Sequence, residues 1–191
     1  MLARLLRTPL TWIAVAVIGA GTVFGLYWFQ PWKLVTDDTV DEALSDLPTA
    51  TAPGTGPTAV PSADRTDPSP TAATLVSAGE FISHEHETTG QARIVRQPDG
   101  SYRLEIVGLS TSNGPDLRIW LTDQPVRPGT AGCRVFDDGR RVELGRLKGN
   151  RGDQVYPLPA GVDPASYRSV SIWCKRFSVS FGAAPLAGPT R

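Results

Sequence analysis

Chemistry-bearing side chains are scarce in this chain. Its 191 residues include two cysteines, two histidines and one methionine. There is no Cys-x-x-Cys pair, no Cys-x-x-Cys-His haem attachment and no His-Glu-x-x-His zinc helix. Two cysteines cannot build a small secreted disulfide framework, although they allow one bridge. Net charge is absent too, with 19 Lys and Arg against 19 Asp and Glu. From Leu75 onward the balance is 15 basic to 12 acidic residues. That excess is too small and too dispersed for a nucleic-acid footprint. The glycine-containing run Leu144–Gly152, LGRLKGNRG, holds Arg146, Lys148 and Arg151 but lacks a Gly-Lys-Ser/Thr ending, so turn chemistry is the plain reading. No spacing defines a Ser-His-Asp or paired-carboxylate arrangement, and hydrolysis is set aside.

One long apolar run is present. Residues Thr8–Trp32 carry no charge. A helix of about 20 residues rises roughly 30 Å, the thickness of a bilayer's hydrocarbon core. We read residues 10–32 as an uncleaved transmembrane anchor, because the run is long for a signal peptide and no clear A-x-A site follows it. Arg4 and Arg7 place residues 1–9 in the cytoplasm by the positive-inside rule. The expected location is single-pass in the cell membrane, with the rest of the chain outside. Trp12, Tyr27, Trp28 and Trp32 fall near the ends of the span, where such rings prefer the headgroup level.

Residues 33–47 follow as a juxtamembrane segment. Thr36 as N-cap, the acids after it and the spacing of Val40, Ala43, Leu44 and Leu47 predict a short amphipathic helix over Thr36–Leu47. Residues 48–74 are nearly all Pro, Thr, Ala, Gly and Ser, too poor in apolar side chains to bury a core. They read as a disordered linker that holds a head away from the membrane.

Residues 75–191 are the head. Ser169–Leu186 shows period-two alternation on both sides of Lys175-Arg176, with Val170, Ile172 and Cys174 before and Phe177, Val179 and Phe181 after. That pattern predicts an antiparallel hairpin. Other short alternating runs are Gly79–His84, Gly90–Gln97, Ser101–Gly108, Leu117–Thr122, Arg134–Phe136, Arg141–Leu144 and Gln154–Leu158. Pro98-Asp99-Gly100 and Asp137-Asp138-Gly139 mark turns between them. Asp163–Tyr167 reads as one helical turn. Eight or nine short strands without a long helix predict an all-β fold, an antiparallel β-sandwich. Its core is expected at Leu104, Ile106, Leu117, Ile119, Leu121, Val170, Ile172, Val179 and Phe181.

Taken in order, the runs GEFISHEHETTGQARIV, STSNGPDLRIWL, VELGRLKGNRGDQVYPLP and YRSVSIWCKRFSVSFGAAPL resemble the DM13 domain over about Glu80 to Leu186. The resemblance implies a β-sandwich, related in outline to DOMON domains, with a role in electron transfer or oxidative modification at cell surfaces. The family's marked cysteine falls on Cys174 and its histidine on His86, while Asn113 and Asp116 match the loop. Cys133 is outside the pattern.

Cys174 therefore has three readings. It is an inert buried thiol, half of a bridge with Cys133, or a redox thiol or cofactor ligand. A bridge would close a loop of about 40 residues and contribute roughly 3–4 kcal/mol. His84 and His86, two residues apart, are expected to point the same way, and with Cys174 they would suit copper or haem iron. Asn113 and Asp116 hold a turn or face a ligand or Ca²⁺. The partners expected are the membrane and another membrane or surface redox protein. The leading function is extracytoplasmic electron transfer centred on Cys174. The alternative is a non-catalytic surface binding or scaffolding module with a structural Cys133–Cys174 disulfide.

Overall fold

The computed structural model describes residues 9–34, 36–47 and 72–188. The stretch expected in the cytoplasm, with Arg4 and Arg7, lies outside these residues except for Pro9, as does nearly all of the linker.

Helix α1, Pro9–Phe29, has no buried residue. The stretch Pro9–Lys33 is long and apolar enough to cross a membrane. A 3-10 turn, Pro31–Leu34, follows it. The expected amphipathic helix over Thr36–Leu47 does not form. Instead β1, Thr39–Asp41, pairs in parallel with β8, Arg151–Pro157. At about three turns a helix there would be marginal alone. The extended form gains a ladder and a set of side-chain bonds to the head: Asp38 N–H to Asn150 Oδ1 at 2.7 Å, and Lys148 Nζ to Glu42 at 2.7 and 2.8 Å.

The head is a sandwich of two five-stranded sheets: nine of the strands come after β1, within the eight or nine expected of residues 75–191, and β1 from before the linker is the tenth. The first sheet runs β1-β8-β5-β4-β2, with β2 Thr74–Glu80, β4 Thr89–Arg96 and β5 Tyr102–Ser110. The second runs β3-β10-β9-β6-β7, with β3 Ile82–Ser83, β6 Leu117–Thr122, β7 Arg141–Arg146, β9 Ser169–Cys174 and β10 Val179–Pro185. Every pairing between these strands except β1 with β8 is antiparallel.

Two corrections concern boundaries. The run Gly79–His84 is not one strand, because β2 ends at Glu80 and the chain crosses to the other sheet as β3. Arg134–Phe136 is not a strand and makes no hairpin with β7. It belongs to a loop, residues 123–140, folded over the outer face of the second sheet.

All nine expected core positions are buried. They meet between the sheets with Ile94, Leu109 and Tyr156. Each fully buried aliphatic side chain there contributes roughly 1.5–3 kcal/mol of transfer free energy. Phe177 breaks the row: it sits in the turn Lys175–Ser178 and is 40% exposed. β9 is buried along both faces. Trp173 stacks on Trp120 with centroids 4.8 Å apart, and Phe136 from the covering loop meets Trp173 edge-on. The serines beside Trp173 find partners under the loop: Ser169 Oγ donates to Gln124 O at 2.7 Å and Ser171 Oγ to Ser180 Oγ at 3.0 Å.

Candidate functional site

Cys174 ends β9 and is completely buried. It stands opposite Val179 on β10 and Leu117 on β6. Burial pushes its thiol pKa up. Backbone groups of Phe177, Arg176 and Asp116 near the sulfur pull the other way, without overcoming the desolvation. The turn that supplies two of them is held by Lys175 N–H donating to Asp116 O at 2.9 Å.

Cys133 is also buried and free, so the expected Cys133–Cys174 bridge is absent. Cys133 follows a 3-10 turn, Thr130–Gly132, in the covering loop. Its Sγ donates to Gly129 O at 3.6 Å, and its carbonyl accepts from Ser180 N–H. Both side chains reach the buried cluster between the sheets, Cys174 from the end of β9, and the two thiols remain unbonded there. Burial raises the Cys133 pKa, with the Glu85 charge adding to it.

The two histidines diverge, because the strand ends at Ser83 and residues 84–86 bend. His84 Nε2 donates to Arg127 O at 2.9 Å, and Nδ1 accepts from the Ser180 hydroxyl at 2.9 Å. Both nitrogens are thereby committed, and the ring lies near Phe136 in the outer layer. His86 turns inward and packs on Phe181 with centroids 3.9 Å apart. Burial lowers the pKa of both rings. Among the described residues no three His, Cys, Asp or Glu gather as a metal site. His84, already bonded on both nitrogens, does not join His86 and Cys174 in a copper site.

The side chains of Asn113 and Asp116 bond neighbouring groups of the head and of the segment after α1. Asn113 Oδ1 accepts from Gly114 N–H, and Nδ2 donates to Asp38 Oδ2 at 3.0 Å, which ties the loop to the juxtamembrane segment. The Asp116 carboxylate is occupied by Arg118 Nε at 2.7 Å. Lys148, in the glycine-containing run, is committed to Glu42 and to Val155 O.

Sequence reasoning missed a cavity of about 340 Å³. Its walls are Phe177, Val179 and Phe181 from the last hairpin, His86 and the Asn113–Pro115 loop, and Phe29–Pro31 with Lys33 from the end of α1. Phe29 stacks on Phe177 with centroids 6.1 Å apart. Arg176 lies over the Trp28 ring and donates to the Trp28 carbonyl. Lys33 Nζ donates to Gly114 O at 3.3 Å. Cys174 lies behind this wall, opposite Val179. The only advance signal was the aromatic cluster Tyr27–Phe29, which composition assigns to a membrane interface. The cavity is at the small end for ligand sites, a better match for a one- or two-ring head than for a haem macrocycle.

A buried thiol set behind a ring-lined cavity, on a two-sheet antiparallel sandwich, defines a β-sandwich module built around one sulfur. The chain belongs to the DM13 family: the family model described as Electron transfer DM13 matches residues 80–186, the core of the sandwich. Searches of the curated proteins and of the solved structures give no match.

Proposed function

We propose that this protein is a membrane-anchored, extracytoplasmic redox module in which the Cys174 thiol takes up water and becomes a sulfenic acid, passing two electrons to a partner and two protons to solvent, and returns to the thiol by the reverse step. In this reading α1 spans the cell membrane with its N-terminus inside, and another membrane or surface redox protein is the electron partner. The observation that carries it is the position of the sulfur. It is completely buried at the end of β9, directly paired with Val179, which lines the cavity that His86 also lines. Family membership supports the same chemistry. Membrane placement is supported by the length and hydropathy of Pro9–Lys33.

The test is a redox titration of the full chain in native membranes. At each applied potential the chain is quenched in denaturant and alkylated, and labelling of Cys174 is read by mass spectrometry. A reversible midpoint at Cys174 supports the role. A thiol that stays reduced throughout, with Cys174→Ser altering only stability, rejects it.

Complete burial and the raised thiol pKa favour a second reading, a ligand-binding module with no redox step, in which Cys174 is a core side chain. The same titration separates the two.

A further inference from the structure

The cavity at the foot of α1 has features that neither a structural loop nor a sheet edge requires. Its floor is the Phe181 ring with His86 laid against it at 3.9 Å, and Phe177 and Phe29 form a side wall. None of the described residues hydrogen-bonds the ring nitrogens of His86, whereas both nitrogens of His84 are bonded. Of the other polar side chains around it, three are committed, Asn113 to Asp38 and Gly114, Lys33 to Gly114 O and Arg134 to Ser178 O at 3.4 Å, while Gln30 and Glu85 line the cavity without a bonded partner among the described residues. A slot walled by flat rings, with one free hydrogen-bonding imidazole, matches a planar ring bearing a carbonyl. The mouth lies where α1 ends, and Tyr27, Trp28 and Trp32 are exposed beside it. With α1 in a bilayer, this is headgroup depth.

We infer that the cavity is a binding site for the head of a membrane-borne quinone. The ring would sit against Phe181 and Phe177, His86 would hydrogen-bond a ring carbonyl, and the apolar tail would run along α1 into the lipid. Burial lowers the His86 pKa, so the imidazole is neutral near pH 7 and has one nitrogen protonated for this purpose. An anionic lipid headgroup fits less well, because Lys33 and Arg134 are already bonded and Glu85 also lines the cavity. The inference rests on the redox reading above and on α1 lying in a bilayer.

The test uses the full chain in neutral phosphatidylcholine vesicles and a photoreactive azido-quinone. Labelling is expected within residues 29–33, 84–86, 113–115 and 177–181. Unlabelled decylubiquinone should compete, and decanol and phosphatidylglycerol should not. His86→Ala should weaken competition by about tenfold, the equivalent of losing one good hydrogen bond. Phe177→Ala, at an exposed turn position where folding is preserved, should weaken it severalfold. Labelling spread along α1 without competition overturns the site. So does competition by phosphatidylglycerol, or wild-type labelling in both variants. If the cavity labels and competes as expected while Cys174 stays a thiol at every potential, the site stands and the redox role of Cys174 falls.

Discussion

Val40 lies directly opposite Gly152 in the one parallel pairing of the described strands. That contact decides how the head is carried. The chain leaves α1 at Phe29 and is already an edge strand of the head by Thr39. Residues 48–71 come after this point, so they cannot set the distance between helix and head. They link β1 to β2, and the head sits directly at the end of α1, with Arg176 against Trp28 and Phe177 against Phe29.

Gly152 is the residue that permits the pairing. It has φ of 90°, and a Cβ there would overlap the Val40 carbonyl. Gly149 stands equally close to the Asp38 carbonyl. Gly152→Val should detach β1 and cost roughly 1–3 kcal/mol through backbone strain and the lost ladder. Urea unfolding measures the loss, and limited proteolysis should newly cut residues 36–47. Unchanged protection of that segment would show that β1 does not depend on this glycine.

Glu105 is fully buried on β5 and is held by Arg93 Nη2 at 2.7 Å, Arg103 Nε at 2.7 Å and Ser45 N–H at 2.9 Å. Burial works against its charge, but these bonds together lower its pKa. Glu105→Gln leaves two part-buried guanidinium groups without a counter-charge. The expected loss is about 2 kcal/mol, below the full penalty for a sealed pair because both arginines reach water. Chemical denaturation of wild type and variant checks it.

Both thiols should be free yet slow to react. Native protein is expected to take up little maleimide on a timescale of minutes, and denatured, unreduced protein should take up two equivalents. A denatured chain that labels only after reduction would reinstate the Cys133–Cys174 bridge.

Mild acid should weaken the head through its two histidines. The pKa values of His84 and His86 are both lowered by burial, so the unfolded chain binds their protons first. Their stabilising contribution is present above pH 6.5, the ordinary histidine value, and is lost as pH falls below it towards the folded values. The slope is at most about 1.4 kcal/mol per pH unit for each ring. Unfolding midpoints between pH 7.5 and 5.5 should fall, and should fall less in His84→Gln. A flat profile across that window contradicts the assigned direction.

Much of this was written in local pattern. Leu104, Ile106, Ile119 and Ile172 announce their inward faces through alternation, since side chains in a strand switch sides at every residue. Phe177 kept the period but fell in the turn, because a hairpin's loop length is set by backbone geometry, not by hydropathy. Ser169 and Ser171 alternate with the inward row of β9, and only the covering loop shows that their face is buried too. Of the candidate site, Cys174 and His86 were legible as residues. Their relation to Phe29 and Lys33 was not.

Sequence alone determined an apolar helix of spanning length, a two-sheet antiparallel head, its core rows and the last hairpin, because each follows from periodicity within ten or twenty residues. Tertiary structure alone decided that Thr39–Asp41 is a strand, that Cys133 and Cys174 stay apart, that His84 and His86 face different layers, and that a cavity forms at the end of α1. These depend on groups up to more than a hundred residues apart, such as Val40 with Gly152 and Phe29 with Phe177. No local period encodes which distant surface a segment meets. The outcome is set by which contact repays the entropy of ordering the chain.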